Sequence, residues 1–540
     1  MPPFAKIKSA VKTACAKTVK IARRTLVSRP FAAFCAGGLT VLALPPYHFW
    51  PALLGFTALG FLLAGDMTKK RAFGIGFSFG FAHFGFGLMW VGNALKLDPR
   101  FAPFAFLPFL AFGLWGAFFP AFSALLARVL APSGWRRAVV FAAGWGLLEW
   151  VRSWALTGFP WNLTASVFAN APLMLQTASL YGSYGLGVMI VLACVLPAAA
   201  LPFNGREAFL KRLGAWTGVS ALVFACLAAY GYARFDNAFL PNDFVRGVTL
   251  RLVQANVEQT LKWDDQKAYR ILDDHVYLSS REGNEKITHV VWPETATQFL
   301  LVQDDGARAM ATSGLSQSAI LLTGTLRTER INTPDAYPPF RVYNSIAAIN
   351  DIGSVIGLYD KSHLVPFGEY VPLRKIFPFM TKLTAGQFDF SKGRGAQTVS
   401  VPRTLPVGML VCYEILFPAH VVEKGKRPYW LLNVTNDGWY GVSAGPHQHF
   451  AAAVLRAVEE GLPVVRGANT GISGVIDSYG RVVNALELGI RGIVDSGLPR
   501  AEDETFYGAH GNTAPLAMCA LLILFSFLPV IVKKKQKEQK

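Results

Sequence analysis

Residues 405–414 read LPVGMLVCYE, an apolar run with β-branched residues that leads directly into Cys412. Two other stretches have the same form, because HVVWPE ends at Glu294 and VIGLYDK ends at Lys361. Short apolar runs of this kind predict buried β-strands, and the residue that follows each strand lies at the edge of a sheet. The sequence therefore predicts an α/β fold that presents a carboxylate, an ammonium and a thiol at strand ends.

Strands and helices alternate through the polar part of the chain, from about 246 to 500. Nine segments are predicted as strands: 248–257, 287–294, 319–326, 343–350, 354–360, 405–414, 429–437, 462–469 and 473–480. Four are predicted as helices: 264–283, 304–317, 417–425 and 446–461. Interleaved strands and helices favour a layered α/β domain whose loops carry the chemistry.

Membrane spans are predicted on both sides of this domain. The 540 residues are 52% hydrophobic, and the mean hydropathy is +0.34. Eight apolar stretches approach the ~20 residues that a bilayer requires: 30–46, 48–65, 72–95, 103–128, 137–155, 178–202, 213–233 and 513–532. The predicted organisation is a basic N-terminus, a membrane domain with about seven spans, a polar domain, a final span and a basic tail, over 1–29, 30–235, 236–510, 511–532 and 533–540.

Basic clusters set the expected orientation. The net charge of +18 comes largely from Lys and Arg in the N-terminus and at 69–71, 136–137, 206–212 and 533–535. With the spans above, these clusters all fall on one side, which the positive-inside rule makes cytoplasmic. The polar domain is then expected on the outer face, and contact with anionic lipid explains the charge without nucleic-acid binding.

Cys412 is the one cysteine of the polar domain. The other five are predicted within spans or in the cytoplasmic N-terminus: Cys15, Cys35, Cys194, Cys226 and Cys519. An unpaired thiol in an oxidising compartment is either a buried core residue or a reactive group. Its position at a strand end, followed by Tyr413 and Glu414, favours a nucleophile.

The three strand-end residues suit covalent acyl chemistry. A thiol is mostly protonated near neutral pH, so Glu294 is predicted to take the proton from Cys412. Lys361 and the backbone N–H after Cys412 are predicted to stabilise the tetrahedral oxyanion. The ordinary alternatives are a surface carboxylate, a solvated lysine and a core cysteine.

Several motifs resemble a known family. WPE at 292–294, YDKSHLVPFGEYVP at 359–372, VCYE at 411–414 and NVTNDGWYG at 433–441 resemble the nitrilase superfamily. EWVRSWALTGFPWN at 149–162 resembles the membrane-domain signature of the apolipoprotein N-acyltransferase family. The resemblance implies a membrane α-helical bundle of about eight spans joined to an α/β nitrilase-like αββα sandwich, with the active site facing the membrane.

The same resemblance implies a function in the bacterial inner membrane, with the catalytic domain periplasmic and both termini cytoplasmic. A phospholipid, with phosphatidylethanolamine as the expected donor, would acylate Cys412 as a thioester. The acyl group would then pass to the N-terminal diacylglyceryl-cysteine of an apolipoprotein, in the last step of lipoprotein maturation. No cofactor or metal is expected. The alternatives are a membrane-anchored amidase that transfers acyl groups to water and a silent nitrilase-fold scaffold.

Five further residues are candidates for supporting roles. Glu369 is implied to be a second active-site carboxylate, with a plain salt bridge as the alternative. Tyr413 and Glu414 directly follow the nucleophile and are expected to shape the oxyanion and substrate pocket. Trp263 is implied to lie near the substrate, although packing is the alternative. Asn436 could orient the substrate or simply form an Asn-Asp-Gly turn.

Three other features invite chemical interpretations. His447 and His449 could suggest a metal, but no Cys or carboxylate completes a shell, so no metal site is predicted. Glu149 and Arg152 stand one helical turn apart in a predicted span, where structural pairing is the expected role. Residues 364–390 are apolar and aromatic for a loop; they could form an ordered arm over the site or a lid that dips into the bilayer and gates lipid entry, and we expect the lid.

Overall fold

The computed structural model describes residues 28–131, 133–201, 205–236, 238–332, 338–372 and 389–538. Nearly all of the predicted N-terminal segment 1–29, and most of the predicted lid at 364–390, lie outside the described residues. The α-helices are α1 Arg29–Thr40, α2 Leu54–Leu63, α3 Lys69–Leu88, α4 Gly92–Lys96, α5 Leu107–Leu130, α6 Gly134–Arg152, α7 Pro172–Leu175, α8 Ala178–Val195, α9 Arg206–Asp236, α10 Ala268–Ser279, α11 Asp305–Thr312, α12 Ala444–Glu460, α13 Phe506–His510 and α14 Thr513–Glu538.

Each predicted span overlaps a helix in the structure. In the described ranges, four helical segments are long and apolar enough to cross a membrane: 69–96, 102–130, 178–200 and 206–236. Three shorter apolar segments lie at 29–43, 50–63 and 513–527. The helices therefore support a membrane protein, while the count of eight spans stays a prediction.

Small residues allow close packing in the helical domain. A Cβ atom built on Gly76 of α3 would lie 2.5 Å from the Pro120 carbonyl oxygen of α5, and one on Gly80 would lie 2.9 Å from the Ala117 Cα. Glycine at these positions lets the two backbones approach, as is common between membrane helices. Arg137, one of the predicted cytoplasmic residues, is buried and donates to backbone carbonyls, among them Leu63 at 2.7 Å.

The described residues of the polar domain form two six-stranded sheets. The strands are β1 Phe244–Gln254, β2 His289–Val291, β3 Ile320–Arg330, β4 Phe340–Asn350, β5 Val355–Asp360, β6 Thr398–Val399, β7 Val407–Val411, β8 Trp430–Thr435, β9 Val464–Ala468, β10 Ser473–Ile476, β11 Val482–Leu486 and β12 Gly492–Pro499. The first sheet has the order β12-β1-β2-β3-β4-β5 and the second β11-β10-β9-β8-β7-β6. Strands β1, β2 and β3 are parallel, as are β7, β8 and β9.

The two sheets pack face to face between layers of helices. Apolar side chains from both sheets, such as Leu322 and Met409, form one buried layer. Helices α10 and α11 cover the outer face of the first sheet, with Leu272 packed among its residues. Helix α12 covers the second sheet. This arrangement confirms the predicted αββα sandwich.

The structure corrects part of the secondary-structure prediction. All nine predicted strands are present, but β6, β11 and β12 were not predicted. Three of the four predicted helices are present, whereas residues 417–425 form turns and bends. Pro418 and the left-handed backbone of Ala419, at φ 62°, interrupt an otherwise amphipathic stretch.

Helix α12 also joins the two domains. Glu459 accepts hydrogen bonds from the backbone N–H and the hydroxyl of Ser183 in α8, both at 2.6 Å. Arg456 donates to the Ser183 hydroxyl at 2.7 Å and pairs with Glu459 at 2.6 Å. This buried ion pair forms hydrogen bonds to Ser183 across the domain boundary, which fixes the sandwich against the helical domain.

Candidate active site

The structure brings the three strand-end residues together. Glu294 follows β2, Lys361 follows β5 and Cys412 follows β7. Their exposed fractions are only 8%, 1% and 6%. Lys361 Nζ lies 3.7 Å from Glu294 Oε1. The site therefore lies where the ends of both sheets meet, and it is closed to bulk solvent.

Glu369 is the second carboxylate at this site. Its Oε1 accepts from Lys361 Nζ at 2.9 Å, and its Oε2 accepts from the Val365 backbone N–H at 2.8 Å. The Glu369 backbone itself bonds to Val365 and Phe390, the described residues on either side of the predicted lid's undescribed part. Glu369 therefore holds the lysine in place and also anchors this loop.

Asn344, which sequence reasoning did not single out, connects the two carboxylates. Its Nδ2 donates to Glu294 Oε1 at 2.8 Å and to Glu369 Oε1 at 3.0 Å. The other oxygen of Glu294, Oε2, accepts from the Asn436 backbone N–H at 2.8 Å. Both oxygens of Glu294 are thus engaged, which fixes the orientation of the expected base.

The electrostatics keep the resting thiol protonated. Burial raises the pKa of Cys412 to about 12, the nearby Glu294 carboxylate adds to this shift, and Lys361 opposes it. Burial alone would lower the pKa of Lys361, but Glu369 and Glu294 outweigh it, so the pKa rises. A charged lysine beside a neutral thiol suits a mechanism in which proton removal and attack occur together.

A second buried lysine contacts the site. Lys262, in the loop after β1, donates from Nζ to the Glu294 backbone oxygen at 3.0 Å. Burial lowers its pKa to about 8, against the opposing influence of Glu294 and Cys412. Trp263 follows it in the chain and is 41% exposed, so this candidate is the least enclosed of the predicted site residues.

Glu414 fastens the lysine-bearing loop to the nucleophile strand. Its Oε1 accepts from the Ser362 and His363 backbone N–H groups, at 2.7 and 3.0 Å, and from the Tyr359 hydroxyl at 2.8 Å. Its Oε2 accepts from the Val411 N–H at 2.8 Å. The carboxylate therefore sets the distance between the two strand ends rather than facing substrate.

Tyr413 connects the site to the helical domain. Its hydroxyl donates to the Gly158 carbonyl at 2.8 Å, within the stretch 149–162 that carried the membrane-domain resemblance. The sequence predicted a pocket role for Tyr413. The structure shows an interdomain bond made by the residue next to the nucleophile, so the site directly adjoins the helical domain.

Asn436 acts on the site through its backbone. Its side chain accepts from the Gly438 N–H at 3.3 Å, as expected of an Asn-Asp-Gly turn, and donates to Gln259 at 2.7 Å. The turn leads to Tyr440, where burial and the nearby Cys412 thiol raise the pKa of the phenol. Asn436 therefore orients Glu294 through its backbone and stabilises the following turn through its side chain.

His449 lies behind the nucleophile and not in a metal shell. It is buried, with Nδ1 2.8 Å from Asp437 Oδ1 and Nε2 3.1 Å from the Cys412 carbonyl oxygen. Arg466 donates to the other oxygen of Asp437 at 2.8 Å. Within the described ranges, no three His, Cys, Asp or Glu side chains are grouped as metal ligands.

The predicted pair in the helical domain is structural. Glu149 and Arg152 are both buried, with their charged atoms 3.9 Å apart. Arg152 donates to the carbonyls of Phe159 and Trp161 at 2.7 and 2.6 Å, and Glu149 accepts from the Thr164 N–H at 2.8 Å. The pair thus fixes the loop whose Gly158 receives the Tyr413 bond.

Two family descriptions match this chain in succession. The apolipoprotein N-acyltransferase N-terminal domain matches residues 36–196, and the carbon-nitrogen hydrolase family matches residues 249–502. An apolipoprotein N-acyltransferase from Agrobacterium fabrum is 37% identical over 531 residues, covering 94% of this chain and 97% of the relative. The Rhodopseudomonas palustris protein of the same name is 35% identical, covering 93% of this chain and 95% of its own.

Solved structures with similar chains come from the nitrilase superfamily. An amidase from Nesterenkonia is 18% identical, covers 47% of this chain and 93% of its own, and gives a TM-score of 0.33. A nitrilase-superfamily member of branch 10 from Saccharomyces cerevisiae is also 18% identical, with coverage of 47% and 90% and a TM-score of 0.35.

Proposed function

Because this chain belongs to the apolipoprotein N-acyltransferase family, we propose that it transfers an acyl chain from a phospholipid to the N-terminal amine of a diacylglyceryl-cysteine lipoprotein. The transfer runs in two half-reactions through a thioester on Cys412. The observation that carries the proposal is the closed cluster of Glu294, Lys361, Glu369 and Cys412 directly beside the helical domain.

In the first half-reaction, Glu294 takes the thiol proton of Cys412 while the sulfur attacks the ester carbonyl carbon of the phospholipid. The negative charge moves to the carbonyl oxygen, where Lys361 and the Tyr413 N–H stabilise it. When the tetrahedral intermediate collapses, the lysophospholipid alkoxide leaves and takes the proton from Glu294. The products are a lysophospholipid and the acyl thioester.

In the second half-reaction, the lipoprotein amine attacks the thioester carbonyl and gives a proton to Glu294. The same donors stabilise the second oxyanion. Collapse forms the amide and expels the Cys412 thiolate, which recovers the proton from Glu294. The high pKa of the buried thiol favours this last step, because the thiolate readily takes a proton.

A lipid donor explains why the site adjoins membrane helices. Burial of an acyl chain is worth about 0.8 kcal/mol per CH₂, so moving a two-chain lipid into water is prohibitively costly. The bond from Tyr413 to Gly158 places the nucleophile strand against the helical domain. We propose a protein of the bacterial inner membrane, with the catalytic domain on the periplasmic face and phosphatidylethanolamine as donor.

Intact-mass measurement tests the covalent step. Detergent-solubilised protein is incubated with phosphatidylethanolamine, quenched and weighed beside Cys412→Ala. We expect one added acyl mass on the wild type and none on the variant. An unmodified wild type would contradict the thioester. A thioester that is released by water as fast as by lipopeptide would favour the amidase alternative.

A further inference from the structure

Two side chains hold the peptide that joins Cys412 to Tyr413 from one side. His449 Nε2 lies 3.1 Å from the Cys412 carbonyl oxygen, and Asn433 Nδ2 donates to the same oxygen at 3.4 Å. We propose that His449 is a positioning residue that fixes this peptide and thereby aims the Tyr413 N–H at the oxyanion. The inference rests on the acyl transfer proposed above.

Peptide geometry connects the carbonyl to the donor. A trans peptide is planar, so its C=O and N–H point in opposite directions and turn together. Holding the Cys412 oxygen on one side therefore fixes the Tyr413 N–H on the other. The Cys412 backbone has φ 52°, a left-handed conformation that persists in a non-glycine residue when its surroundings hold it there.

The contact between His449 and the Cys412 oxygen requires a hydrogen on Nε2. A carbonyl oxygen only accepts, so Nε2 must donate to it. In the neutral ring, Nδ1 can accept from Arg466 Nη2 at 3.0 Å, and in the charged ring it donates to Asp437 at 2.8 Å. Positioning by His449 therefore requires the ring form with a hydrogen on Nε2, which Arg466 favours and the Asp437 carboxylate opposes in the neutral ring.

The ring is itself held rigidly. Arg466 fixes Asp437 from the far side, and the Trp161 ring lies 5.3 Å from the His449 ring between centroids. The neighbouring Gln448 accepts from the indole N–H groups of Trp90 and Trp161, at 2.9 and 3.0 Å. This turn of α12 is thus fixed to the helical domain while His449 holds the nucleophile peptide.

Two reactions of Cys412 distinguish a loss of Tyr413 N–H positioning from a general disruption of the site. Acylation by phospholipid passes through an oxyanion, whereas alkylation by iodoacetamide is a displacement at carbon that needs no such donor. Single-turnover acylation and alkylation of the Cys412 peptide are followed by mass spectrometry in the full-length protein. The variants are His449→Phe, which lacks a donor, and His449→Gln, whose amide can donate, with His447→Phe as the control on the same helix.

We expect His449→Phe to slow acylation by about 100-fold, which is the scale of losing one oxyanion donor, with unchanged donor half-saturation and unchanged alkylation. His449→Gln should recover most of the acylation rate, and His447→Phe should match the wild type. The inference is overturned if His449→Phe acylates at the wild-type rate. It is also overturned if acylation and alkylation slow equally, or if His449→Gln acylates as slowly as His449→Phe. If the wild type also forms no adduct, the proposed function fails as well.

Discussion

Asn344 offers a direct test of how the two carboxylates are held. Its Nδ2 donates to Glu294 at 2.8 Å and to Glu369 at 3.0 Å, and Asn344→Leu removes both bonds at similar volume. Hydrogen bonds to charged groups contribute about 1.5–3 kcal/mol each. Because Lys361 still pairs with both carboxylates, we expect a loss of about 2–3 kcal/mol of transition-state stabilisation, or about 30- to 150-fold in rate.

The assay is the single-turnover rate of acyl-enzyme formation, measured by intact mass with a phospholipid donor in detergent. Asn344→Asp should be slower still, because it adds a third carboxylate where a donor is required. Asn350→Leu is the matched control, since Asn350 ends the same strand and bonds to the Ser354 N–H instead. A folded Asn344→Leu protein that acylates at the wild-type rate would refute the reasoning.

Three further predictions concern the same framework. Iodoacetamide should alkylate Cys412 about tenfold faster per pH unit from pH 7 to 10, because the thiolate fraction grows tenfold per unit below a pKa of about 12. An alkylation rate that levels off below pH 9 would contradict that pKa. Glu414→Gln should cost about 2–4 kcal/mol of stability, since its NH₂ group would face either the Val411 N–H or the donors to Oε1, which include the Ser362 hydroxyl at 2.8 Å besides the three named above. The same substitution should also slow acylation, because the loop that carries Lys361 would shift. A variant with unchanged thermal stability and an unchanged acylation rate would contradict this role of Glu414. Arg152→Met should destabilise the solubilised protein by about 3–5 kcal/mol, because Glu149 stays buried without its partner. The double variant Glu149→Gln with Arg152→Met should lose less stability, and equal losses of stability in the single and double variants would exclude a buried ion pair.

The sequence was most informative where apolar runs end in polar residues. The runs before Glu294, Lys361 and Cys412 predicted the strand ends, and the packing of the two sheets then brings the ends of β2 and β7, which lie in different sheets, together. Of the three strands that were missed, β6 has two residues, β11 is largely exposed, and the sequence GIVDSGLP of β12 is interrupted by glycine and polar residues, so none gives a clear apolar run. Local pattern alone carries little signal for such strands.

The supporting residues could not be predicted from pattern alone, because their partners are distant in the chain. Asn344 is a polar residue inside a strand, and Lys262 lies in an ordinary loop. His449 drew notice only through its spacing from His447. A buried polar side chain needs a hydrogen-bond partner, but the sequence does not identify that partner. The structure identifies those partners as Glu294 for the first two and the Cys412 carbonyl for the third.

A pulse-chase measurement tests the central claim most directly. The wild-type protein is loaded from a phospholipid with a labelled acyl chain, freed of donor, and chased with a diacylglyceryl-cysteine lipopeptide or with buffer alone. The account predicts that the label leaves Cys412 with the lipopeptide and appears in its amide, while the buffer sample keeps the thioester. Label released into water at the same rate in both samples would contradict it.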